Sequence, residues 1–146
     1  MPRSTDFLPT IQALTQCYQA FEAYSAKHVR ELGLTPPQFD IIATLGNTAG
    51  MTATELGEKT LITKGTLTGV VDRLSARGWV KRVAHASDGR CQIIQLTQAG
   101  EALFAKVFPA HLVHMHTCFA GVTATEHANW QMALRSLEQI LRKETI

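Results

Sequence analysis

Between residues 59 and 90 the chain gathers Lys59, Lys64, Arg73, Arg77, Lys81, Arg82 and Arg90 against only Asp72 and Asp88, a local charge of +5 in a chain whose remainder carries −3. A basic segment of this kind attracts a polyanion, although charge alone equally describes a solvated face. Spacing says more. Over residues 64–77, Leu67, Val70, Val71 and Leu74 fall on one stripe of a helix, which leaves Lys64, Gly65, Thr66, Thr68, Gly69, Asp72 and Arg73 outward. Each exposed glycine inside a helix costs about 1 kcal/mol relative to alanine, a poor choice for a merely solvated face. A duplex major groove would use them: glycine lets the backbone approach while hydroxyls and Lys64 reach bases or phosphates. Asp72 opposes this unless Arg73 or Arg77 neutralises it. Further on, Arg90 in Ser87-Asp88-Gly89-Arg90 has the chemistry to enter a minor groove, with Asp88 orienting it as a bidentate partner. The candidate DNA contacts are therefore Thr63, Lys64, Gly65, Thr66, Thr68, Gly69, Arg73, Arg77, Asp88 and Arg90.

His111, His114 and His116 form a second constellation, since imidazole ligates zinc and copper. Residues three apart share a helix face and residues two apart do not, so His111 and His114 are the weak metal candidates, with His28 or His127 as an unplaced third ligand. Cys17, Cys91 and Cys118 are odd in number and widely spaced, without a Cys-x-x-Cys pair, which argues for reduced thiols rather than a disulfide framework or thiolate zinc site. Tyr18, Phe21, Tyr24 and Phe39 either line a ligand cleft or fill a core, and their helical spacing favours the core. No Gly-x-Ser-x-Gly, phosphate-binding glycine loop or His-Glu-x-x-His is present, so neither an enzyme nor a cofactor is expected.

These residues need elements to hold them. Phe7, Ile11, Leu14, Tyr18 and Phe21 recur at four, three, four and three, the seam of a helix packed lengthwise on another, expected over residues 6–32. Gly33 stops it, and Thr35 with Pro36 opens the next helix, which ends near Gly46. Thr52-Ala53-Thr54-Glu55 is a capping box for a short helix, and Thr63 is placed to cap the helix over 64–77, closed by Gly78. Two short helices joined through Leu61-Ile62 make a helix-turn-helix. Residues 79–83 and 92–96 read as two strands of a hairpin. Thr97 caps a long helix to about residue 118, where Pro109 is expected to introduce a kink. A last capping box at Thr123 opens a helix with a second seam, Trp130, Leu134, Leu137 and Leu141.

With 146 residues, 45% hydrophobic and 18% charged, the chain fits one domain. The fold class is mainly α with a small β-hairpin wing (α+β): a winged helix-turn-helix lobe over about 34–100, flanked by dimerisation helices over about 6–32 and 101–142. The N-terminus carries no secretory signal pattern and no apolar run approaches a membrane span, so a cytoplasmic protein is expected.

Taken jointly, Leu34-Thr35-Pro36-Pro37-Gln38-Phe39, Gly65-Thr66-Leu67-Thr68-Gly69-Val70-Val71-Asp72-Arg73-Leu74, Gly78-Trp79-Val80, Asp88-Gly89-Arg90 and Leu96-Thr97-Gln98-Ala99-Gly100 give a chain that resembles the MarR family of winged-helix regulators over nearly its whole length. The resemblance implies that the helix over 64–77 reads the major groove and the hairpin over 79–96 is the wing. It also implies that the terminal helices form a homodimer and that a small, often phenolic, effector releases the DNA; two recognition helices about one turn apart are then expected to read a near-palindromic operator, with repression the expected outcome. The family's wing often carries Asp-Arg-Arg; Gly89 replaces the middle arginine, so one phosphate contact is expected to be missing. Cys17 falls several residues too late to match the reactive cysteine of peroxide-sensing members. The contrasting readings are a winged-helix protein-interaction module and a metal- or redox-sensing regulator.

Overall fold

The computed structural model describes residues 3–87 and 89–145. Their order is α1 (Phe7–Glu31), α2 (Pro36–Leu45), β1 (Met51–Thr52), α3 (Ala53–Lys59), α4 (Lys64–Ala76), β2 (Val80–Ala84), β3 (Gln92–Leu96), α5 (Gln98–Phe119) and α6 (Ala124–Lys143). Two compact units divide the chain, Met1–Leu112 and Val113–Ile146.

Local hydrogen bonds explain where the helices begin. Thr35, Thr52 and Thr123 each accept the backbone N–H three residues on, and Gln38, Glu55 and Glu126 reach back to the cap residue's own N–H. Each box satisfies two amides that a helix start would otherwise leave unpaired. Thr63 departs from expectation. It holds the cap position with an extended backbone but makes no side-chain cap bond; its hydroxyl donates instead to the Thr66 hydroxyl at 3.1 Å. Gly78, at φ 77°, ends α4 as a left-handed residue: its N–H bonds the Ser75 carbonyl and that of Trp79 bonds the Leu74 carbonyl, the paired closure that glycine permits.

The expected two-stranded hairpin is part of a three-stranded antiparallel sheet in the order β1-β3-β2. Met51 pairs with Ile94 and Thr52 with Ile93, so β1 ties the start of α3 to the wing. In the first unit one core joins Ile41, Ile42 and Leu45 of α2, Leu56 of α3, the α4 stripe, Val80, Ile94 and Leu96 of the sheet, and Val29, Phe104 and Val107 from the long helices. Thr97 locks the wing to α5: its hydroxyl donates to the Gly78 carbonyl and accepts the Gly100 N–H at 3.1 Å. α5 continues through Pro109 as one helix.

In the second unit α6 has no buried residue, and His127 lies between Phe119 and Trp130, with ring centroids 5.5 and 5.8 Å away. Among the described residues no helix is long and apolar enough to cross a membrane.

Candidate nucleic-acid interface

α4 separates its two faces sharply. Leu67, Val70, Val71 and Leu74 are buried, while Lys64, Gly65, Thr66, Thr68, Asp72 and Arg73 are exposed and Gly69 is half-exposed. A Cβ added at Gly65 or Gly69 would meet no atom within 4 Å, so the protein's own packing does not require glycine at either place.

Asp72 is neutralised, but not by either arginine named from the sequence. Arg82, on β2, reaches it with Nη2 2.6 Å from Oδ1, and so ties the wing to the outward face of α4. Arg77 lies with its guanidinium 4.3 Å from the centre of the Trp79 ring, a stacking arrangement that favours arginine over lysine. Between α3, α4 and the wing runs an open cleft of about 430 Å³ whose walls include Thr52, Thr54, Thr68, Arg82, Arg90 and Cys91. Its hydroxyl and guanidinium lining suits a phosphate or another small anion. Asp88 lies outside the described residues, and with it the expected Asp88–Arg90 pair.

Asp40, on α2, was not evident as a site residue. Its Oδ2 accepts the backbone N–H of Leu61 at 3.3 Å, fixing the turn between α3 and α4. Burial raises the carboxyl's pKa and the Leu61 N–H opposes that rise. Tyr18 also titrates above its ordinary value, first because it hydrogen-bonds Glu22, then through burial and the charges of Glu22 and Asp40.

The histidines are arranged differently from the expected pairing. His111 is buried, shares a 3.0 Å hydrogen bond between its Nδ1 and that of His28, contacts the Ser25 hydroxyl through Nε2 at 3.0 Å and meets Phe39 edge-on. Two facing Nδ1 atoms require one to donate and the other to accept, which makes this an interior polar link between α1 and α5. Among the described residues no three His, Cys, Asp or Glu side chains are grouped to hold a metal. The aromatic residues assigned to the core divide: Phe39 packs against it, whereas Tyr18 and Phe21 are exposed on α1.

A sequence model of the MarR family matches residues 32–90, which contain α2 to β2 and the wing tip. The chain is also similar to the HTH-type transcriptional regulator MhqR of Bacillus subtilis (strain 168), 30% identical over 113 residues that make up 77% of this chain and 78% of that one. The chain belongs to the MarR family. It is a transcriptional regulator with a DNA-binding winged helix, in which α3 and α4 form the helix-turn-helix and β2 and β3 the wing. Two solved MarR-type folds superpose closely: mutant E. coli MarR complexed with operator DNA (TM-score 0.78, 22% identity, 94% of this chain and 99% of that one), and Bordetella bronchiseptica BpsR, whose DNA binding is regulated by 6-hydroxynicotinic acid (TM-score 0.77, 24% identity, 89% and 98%).

Proposed function

We propose that this MarR-family chain is a homodimeric repressor that binds a near-palindromic operator and releases it when a small aromatic effector binds. The observation that carries the reading is the outward face of α4, where Lys64, Thr66, Thr68 and Arg73 surround two glycines that no internal contact requires. Such a face presents donors and a close-approaching backbone to base edges and phosphates. Thr63 and Arg77 flank it, Arg82 holds Asp72 away from the phosphates, and Arg90 contacts the flanking minor groove with Asp88 beside it in sequence. The operator-bound relative supports duplex DNA as the partner, and the 6-hydroxynicotinic acid-regulated relative supports an aromatic effector.

The dimer reading rests on two apolar seams left open in the single chain. Phe7, Ile11 and Tyr18 of α1 and Trp130, Leu134 and Leu141 of α6 are all exposed, with Leu14 and Leu137 half-buried. Pairing two subunits would set their recognition helices about one DNA turn apart, roughly 34 to 36 Å. An effector acts by preferring a dimer whose spacing no longer fits.

The test is selection from a pool of random duplexes at two salt concentrations. A retained near-palindrome whose affinity falls steeply with salt supports the reading; recovery of no preferred sequence overturns it.

A further inference from the structure

Among the described residues, the exposed large apolar side chains lie on α1, α5 and α6 with a single exception, Leu61. At 72% exposure it is the most exposed of them, and it stands in the helix-turn-helix connection just ahead of α4. Its neighbour Ile62 is buried, so the turn points one side chain inward and the other out. The turn is fixed by several bonds. Asp40 accepts the Leu61 N–H, the Thr60 hydroxyl accepts the Ile62 N–H at 3.4 Å, and that hydroxyl donates to the Leu56 carbonyl at 2.7 Å. A leucine 72% exposed gains little from the folded subunit, because most of its apolar surface stays in water.

We infer that Leu61 is a base-reading residue, packing on the C5-methyl group of a thymine at the leading edge of α4, and that Asp40 is the positioning residue that holds it there. Thymine carries the one apolar group on the major-groove edge of the four bases, so it is the base an outward leucine recognises. The inference rests on the DNA-binding reading above and adds a position of sequence preference that the polar residues of α4 do not supply.

The experiment takes the operator selected by the full chain and replaces its thymines one at a time with deoxyuridine, which removes only the methyl group. Wild type, Leu61→Ala, Asp40→Ala and Asp40→Asn are titrated on each duplex. At one position per half-site the methyl deletion weakens wild type about fourfold, the scale expected for losing one buried methyl-sized group, and leaves Leu61→Ala unaffected. Asp40→Ala loses that sensitivity; Asp40→Asn, which keeps a carbonyl acceptor, retains it. Leu61 is exposed, so its alanine variant should melt like wild type. The inference fails if Leu61→Ala binds as wild type does, or if it weakens binding while remaining as sensitive as wild type to every methyl deletion. Loss of sensitivity in both Asp40 variants, or in neither, removes the positioning role. In those cases steep salt dependence of wild type would leave the DNA-binding reading standing. Wild type that retains no duplex at all would remove both.

Discussion

Asp40 combines two demands that a substitution can separate. Its carboxylate oxygen holds the turn before α4, yet burial raises its pKa above the ordinary 3.8. A raised folded-state pKa means that the folded chain binds the proton more readily than the unfolded one, so the group's contribution to stability is fullest below pH 3.8 and is lost as pH rises through the folded value. At neutral pH the ionised form is therefore a burden that an amide would not carry. Asp40→Asn should melt higher than wild type at pH 7, with the gap closing as pH falls towards 3.8; thermal melts across that range check it, and a gap independent of pH would contradict it. Arg82 leads to a second expectation. The Arg82–Asp72 pair is partly exposed, and such pairs contribute about 0–1 kcal/mol to stability, so Arg82→Ala should shift the melt little. Operator affinity should fall several-fold further than lysine at the same place would explain, because removing Arg82 also leaves Asp72 facing phosphates. Titration of Arg82→Ala, Arg82→Lys and Arg82→Ala/Asp72→Asn checks this: the double variant should recover part of the alanine loss. The sequence exposed the conflict at Asp72 but not its resolution, since Arg73 and Arg77 are near in sequence and Arg82 becomes near only when β2 folds back beside α4.

Among the elements, the joint between wing and α5 has the least tolerance. A Cβ at Gly100 would fall on the Trp79 carbonyl oxygen and lie 3.2 Å from the Leu96 Cβ, so backbone would have to move. Overpacking of this kind typically costs about 1–3 kcal/mol. Gly100→Ala should lower the unfolding midpoint accordingly, whereas Gly65→Ala, with open space around its Cβ, should raise or preserve stability while weakening operator binding. Chemical denaturation with parallel DNA titration separates the two effects, and equal stability losses would refute the contrast. The ease of reading the elements followed the range of the forces that set them. The capping boxes at Thr52 and Thr123 join residues three apart and Thr35 stands directly before a proline, so these helix starts were visible in the sequence, whereas the return bond from Gln38 to Thr35 came only with the structure. β1 is two residues long and exists because Met51 and Thr52 meet Ile94 and Ile93, a pairing no local pattern announces. His111 likewise looked like a companion of His114 on its own helix, and its bonds run instead to Ser25 and His28.

For the proposed dimer the decisive quantity is how two weak half-site contacts would become one strong one. Periodicity in the sequence marked the apolar seams of α1 and α6, but a seam specifies a face and not its partner. Stable interfaces bury roughly 1,200–2,000 Å², and the exposed side chains of α1 and α6 are the material for one. Leu134→Glu puts a charge on the α6 seam at a side chain that is exposed in the single chain, so the subunit should still fold while the dimer dissociates. Each half-site is then bound alone, without the effective concentration, on the order of millimolar, that a linked second site provides. Operator affinity should drop by at least about a hundredfold on that scale, and affinity for an isolated half-site should stay unchanged. The salt dependence of operator binding should also flatten, because its slope follows the number of phosphates neutralised in one event. Light scattering gives the mass, and titrations of full and half operators at several salt concentrations give the rest. If Leu134→Glu remains dimeric with normal affinity, the α6 seam is not the interface; if it is monomeric yet binds the full operator with wild-type affinity and slope, one subunit suffices and the palindrome has no role.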